Sequence, residues 1–153
     1  MIAIRRRATA LGLGLLVLAC ATPLSERDVE ARLRRAGASV RGIGSEFLVV
    51  PVYADSRVAA WTLVAEARAE GATLMGQRLS HDFKREATRR RSIVVGGPFS
   101  DLTREIVLDA FGLLEDRALE GLTLVYVGEA AHAGELRRAA HARRARFHHR
   151  PLP

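Results

Sequence analysis

A chain of 153 residues, 48% hydrophobic and 27% charged, has room for one globular core and little for a second, and its apolar content excludes a disordered chain. Its formal charge is +7, carried almost wholly by arginine, with Lys84 the only lysine. A single cysteine, Cys20, excludes an internal disulfide and a cysteine-based metal cluster.

Arg5, Arg6 and Arg7 open the chain with positive charge, and residues 8–19 follow without a charged side chain. Ala19 and Ala21 flank the cysteine. Positive charge, about a dozen apolar residues and then a small residue is the layout of a signal peptide. The run is short for a bilayer span, which needs about 20 residues, and it is apolar all round, unlike an amphipathic surface helix. The alternatives are an uncleaved signal anchor and a cytosolic protein with an apolar N-terminal helix.

Val17-Leu18-Ala19-Cys20 resembles the lipobox of bacterial lipoproteins. The resemblance covers about the first 21 residues and implies nothing about the fold beyond them. It implies cleavage between Ala19 and Cys20, a diacylglyceryl group on the Cys20 thiol and acylation of the new amine. Acyl chains contribute about 0.8 kcal/mol per buried methylene, so several make a lasting anchor. Ala21 is not the aspartate associated with inner-membrane retention, so the resemblance implies an outer-membrane protein facing the periplasm. The expected organisation is a signal peptide over 1–19, a lipidated cysteine and short tether over 20–24, and one domain over 25–153. Loss of Arg5, Arg6 and Arg7 leaves 21 basic residues against 17 acidic ones, about +4.

Ser25 with Asp28 three residues on predicts a capped helix, with Val29, Leu33 and Ala36 on its inner face and Gly37 closing it. Residues 40–44 read as a short strand or a turn. Residues 46–53 read as a buried strand, and Pro51 marks it as an edge or a break. Residues 56–70 predict a helix whose inner stripe is Val58, Trp61, Thr62 and Ala65. Residues 73–75 suggest a short strand, and 80–91, with alternating charges, an exposed helix.

The second half is more regular. Strands are expected at 92–95, 122–127 and 145–149, with helices over 100–114 (Leu102, Ile106, Ala110 and Leu113 inward) and 130–142 (Ala133, Leu136 and Ala140 inward). The apolar runs are continuous instead of alternating, as in strands covered on both faces. The expectation is an α/β fold: a small, open, mainly parallel sheet, βαβαβ in its C-terminal half, with helices on both faces.

Gly96-Gly97-Pro98-Phe99-Ser100-Asp101 is the candidate ligand loop. Strand ends in open α/β sheets gather ligands, and N–H groups opening a helix favour an anion. Glu129, after Gly128, would add a carboxylate nearby. Capping and turn-making explain the same residues structurally. The chain lacks GxGxxG spacing and a Walker lysine, so no cofactor is expected. Ser100 lies outside a GxSxG elbow, and Ser80-His81-Asp82, adjacent on a helix, would point in different directions. His148 and His149 would face opposite sides of a strand and so would not share a metal ion.

Arg137, Arg138, Arg143, Arg144 and Arg146, with Arg150, form a basic group suited to anionic lipid headgroups; a solvated helix face is the plainer reading, and Arg89-Arg90-Arg91 is a second such run. Nucleic acid is not an expected partner. The expected role is a membrane-anchored binding or assembly module, with an envelope protein, a lipid headgroup or a small anion as partner. The alternative is a small α/β enzyme or anionic-ligand binder using Gly97, Ser100, Asp101 and Glu129.

Overall fold

The computed structural model describes residues 24–152. The signal peptide, Ala19 and Cys20 lie outside the described residues. Within them the order is α1 (Glu26–Ala38), β1 (Phe47–Pro51), α2 (Arg57–Glu70), α3 (Leu74–Thr88), β2 (Ser92–Gly96), α4 (Ser100–Gly112), β3 (Thr123–Val127), α5 (Ala130–Ala142) and β4 (Arg146–Arg150).

The four strands form one parallel sheet in the order β1-β2-β3-β4. Each crossover moves one strand in the same direction, and crossovers of one hand then put their helices on one face. The apolar clusters agree with this. Leu48, Val50, Ile93, Val95, Leu124, Tyr126 and Phe147 join the core under α2 to α5. Val49, Val94, Val125 and Val127 join Val29, Leu33 and Ala36 of α1 on the other face. The α/β architecture is therefore lopsided, with one helix on one face and four on the other.

α1 starts as its sequence dictates. The Ser25 hydroxyl accepts from the Asp28 N–H at 3.2 Å while Asp28 accepts from Ser25, a complete capping box. Glu30 and Arg34 pair at 2.8 Å. Gly37 lies inside the helix, and Ser39 caps it. β1 is an edge strand, where Pro51 costs the sheet little. Residues 40–44 form a turn.

Four expectations are corrected. Residues 73–75 are no strand: Thr73 caps α3, its hydroxyl accepting from the Gly76 N–H at 3.0 Å. Asp109 of α4 reinforces that start, accepting from the Ala72 and Thr73 N–H groups at 2.5 and 2.8 Å. α3 is not an exposed helix either, since Leu79, Phe83 and Ala87 are buried and Phe83 stacks on Phe111 at 5.4 Å between ring centres. Its charged residues occupy only the other face. On α4, Leu102, Ile106 and Ala110 are buried as expected, but Leu114, in the following turn, goes inward while Leu113 is 38% exposed.

The fourth correction concerns α2. Val58 and Trp61, expected inside, are 77% and 71% exposed, and Thr62, Ala65 and Ala69 are exposed with them. The buried side carries Ala60 and Ala67. α2 packs on α4 rather than on the sheet, and small residues let it approach closely. Arg68 then reaches Glu105 of α4, with N–O distances of 2.7 and 2.8 Å. Glu105 also meets Arg104, and Arg104 pairs with Glu135 of α5 at 2.6 Å. An ion-pair chain thus ties three helices together.

Candidate functional site

β2 and β3 end side by side, so the sheet brings the two strand-end loops together. Glu129 donates its backbone N–H to the Ser100 hydroxyl at 3.2 Å. Asp101 Oδ1 lies 3.1 Å from His132 Nε2, joining the first turns of α4 and α5. The proximity of Ser100 and Glu129 is legible in the sequence. The Asp101–His132 contact is not, because it depends on how two helices splay from neighbouring strands.

The glycines in these loops are accounted for by packing. A Cβ on Gly97 would sit 1.9 Å from the Val52 carbonyl oxygen, and one on Gly96 would sit 2.4 Å from that of Val127. A Cβ on Gly128 would lie 2.3 Å from the Tyr126 hydroxyl. The space a ligand would use beside the backbone is filled by the protein itself. The strand order also never reverses, so the sheet has no switch point at which neighbouring crossovers part to open a crevice.

Tyr126 lies beneath this junction. Its side chain is fully buried, and its hydroxyl makes no hydrogen bond of good geometry among the described residues. Burial pushes the phenol up to about 12, an effect partly offset by the nearby Ser100 hydroxyl and Glu129 backbone. Its ring stacks on His149 at 5.7 Å, and His149 Nε2 lies 2.9 Å from the Gly128 carbonyl oxygen.

The other candidate residues separate. Ser80 donates to the Gln77 carbonyl at 2.7 Å, Asp82 pairs with Arg85 at 2.8 Å, and His81 is exposed. His149 lies against Tyr126, while His148 pairs in register with Val125, whose side chain packs under α1. Among the described residues no three His, Cys, Asp or Glu side chains gather as metal ligands.

The C-terminal arginines do not form one surface. Arg137 lies over the Phe147 ring at 5.6 Å, and Arg143 lies over Phe111 at 5.4 Å while donating to the Ala139 carbonyl. Arg138 is exposed on α5. Arg144 and Arg146 stand at the amino-terminal edge of the sheet, where α5 ends and β4 begins.

That edge is opposite the end at which the described chain begins. Glu26 lines a cleft of about 360 Å³ with Pro51, Val52 and Tyr53, beyond the carboxyl end of β1. Trp61 belongs to the same end: it shares a cleft of about 390 Å³ with Val64, Ala65, Arg68 and Asp101, the last on the first turn of α4. No described helix is long and apolar enough to cross a membrane. Compared with known protein families, curated proteins and solved structures, the chain matches none.

Proposed function

We propose that the mature chain is a lipid-anchored binding module of the bacterial envelope, resting one side of α2 on the bilayer interface. The anchor follows from the resemblance of residues 17–20 to a lipobox. The observation that carries the orientation is the uncovered stripe of α2. Val58, Trp61, Thr62, Ala65 and Ala69 are exposed and uncharged, with Arg57 and the Glu105-paired Arg68 on the flank beside Trp61 and Glu66 on the other flank. Tryptophan flanked by arginine suits the headgroup boundary, which has an apolar and a wet side. The stripe begins at the end of the sheet where the chain emerges. From Cys20 to Leu24 the chain spans roughly 14 Å at most, so an anchor at Cys20 holds that end of the domain near the membrane.

Two measurements test this separately. Mass spectrometry of the native product reads the anchor: a chain beginning at acylated Cys20 supports it, and an intact start at Met1 removes it. The orientation is read by coupling residues 20–153 to vesicles through a maleimide lipid at Cys20, the only cysteine, whether or not the cell acylates it. Trp61 is the only tryptophan, so quenching of its emission by brominated acyl chains places it at the interface. Undiminished emission overturns the orientation, as does a change that follows protein concentration instead of lipid, which would assign the stripe to a second copy.

A second reading is a small enzyme or ligand binder at the strand ends. It is favoured by the Asp101–His132 pair beside Ser100. A fluorophosphonate probe that labels Ser100, and loses that labelling in His132→Ala, would support it; an unlabelled chain removes the catalytic version.

A further inference from the structure

Among the described residues, the lopsided fold leaves one stretch of sheet without a helix. On its face α1 packs over β1, β2 and the near part of β3. β4 contributes nothing to that cluster, although its alternate residues Arg146, His148 and Arg150 point to the same side as Thr123, Val125 and Val127. The uncovered row thus reads arginine, histidine, arginine.

Basic side chains from elsewhere gather at both ends of this row. At the amino-terminal edge, a cleft of about 310 Å³ is lined by Arg90, Arg91, Arg146, Ser92, Thr123 and Glu46. Ser92, Thr123 and Arg146 are neighbours across the sheet, so their grouping follows directly from the strand register. Arg91 is paired with Glu46 at 2.8 Å. Neither Arg90 nor Arg146 has an anionic partner among the described residues, so the cleft carries two uncompensated positive charges. Arg90 also holds a left-handed backbone, φ 54°, at the end of α3. Glycine takes that conformation most cheaply, and the chain places arginine there. At the other end of the row, Arg150 lines a second depression of about 620 Å³ with Arg32 and Arg35 of α1. Between the two, Arg146 and Arg150 both help to hold the His148 ring below its ordinary range, after burial as the main cause.

We infer that the open face of β4 is a binding groove for a ligand carrying two or more phosphate groups. One phosphate sits between Arg90 and Arg146, within reach of the Ser92 and Thr123 hydroxyls. A second lies toward Arg150 and Arg35, about 13 Å along the strand at four residues' rise. Guanidinium forks bind phosphate oxygens in pairs, and hydroxyl donors can take up the remaining oxygens of a tetrahedral group. Two uncompensated charges match a phosphate dianion. Among the described residues the row offers no Phe, Tyr or Trp ring on which bases could stack, which separates this groove from a single-strand nucleic-acid channel built on such rings. The inference stands without the membrane anchor.

The probe is a linear polyphosphate chain long enough to span both ends of the row, titrated calorimetrically into residues 20–153 at low and at moderate ionic strength. Binding should weaken on the order of tenfold or more in Arg90→Ala/Arg146→Ala. It should stay within twofold or so in Arg137→Ala/Arg138→Ala, which removes equal charge from α5. The bound form should shift the His148 ring resonances and leave those of His141, exposed on α5, in place. Vesicles of phosphatidic acid in phosphatidylcholine, sedimented with the same variants, separate the sources. Binding to the polyphosphate chain assigns a soluble phosphate chain, and binding to vesicles alone assigns a headgroup. Absence of binding to both probes overturns the groove, as does an equal loss in the two double variants or tighter binding of a polycarboxylate than of the polyphosphate chain.

Discussion

Gly97→Ala tests whether the strand-end glycines serve packing. The new Cβ would lie 1.9 Å from the Val52 oxygen and 3.0 Å from its carbon. Ordinary contact needs about 3.4 Å or more, so the loop or residue 52 must move by over an ångström. Val52 is 1% exposed and donates its N–H to the Gly96 carbonyl at 2.8 Å, so it cannot retreat without losing that bond and its core contacts. A lost backbone hydrogen bond costs about 1 kcal/mol and overpacking about 1–3 more. The expected loss is therefore about 2–4 kcal/mol, or a melting temperature lower by roughly 10 °C for a domain of this size. Gly134→Ala is the matched control. It sits inside α5, where the nearest atom to a new Cβ is the end of Arg138 at 3.8 Å, and alanine there should stabilise by up to about 1 kcal/mol. Urea and thermal unfolding followed by far-ultraviolet circular dichroism measure both. A Gly97→Ala protein that melts within a degree or two of the parent would refute the packing account and restore the loop as open ligand space.

Tyr126→Phe removes a buried hydroxyl that lacks a well-formed hydrogen bond, so stability should change by less than about 1 kcal/mol or rise; a loss above about 2 kcal/mol in urea unfolding would reveal a strong bond there. The same phenol, pushed up to about 12, should resist spectrophotometric titration near pH 10, the ordinary phenol range; complete ionisation of Tyr126 there would contradict its burial. His148 is held below its ordinary 6.5 by burial and by Arg150 and Arg146. The folded state then takes up a proton less readily than the unfolded one, so its contribution to stability is present above pH 6.5 and is lost as pH falls below it. Melting temperatures between about pH 7 and pH 5 should therefore fall less in His148→Asn than in the parent, and parallel curves would show that the ring titrates normally.

Local rules acting within a few residues already determine much of this protein. The Ser25–Asp28 box, the Glu30–Arg34 pair and the inner faces of α1 and α5 follow from side chains three or four residues apart. The apolar runs at residues 92–95 and 122–127 mark strands buried on both faces, and their alternation with helices implies a parallel α/β sheet. α2 was decided by tertiary contact: its larger apolar stripe faces outward because its partner is α4, against which alanines and an Arg68–Glu105 pair fit better than tryptophan. Thr73 reads as strand by its own preference and becomes a helix cap because Asp109, far along the chain, accepts from the backbone beside it. The bare face of β4 depends on the one-directional strand order, and the meeting of Arg90 with Arg146 depends on strand register. Arginines more than fifty positions apart carry no local mark of shared use. Only the sheet, by pairing Ser92 with Thr123 and Thr123 with Arg146, brings them to one edge.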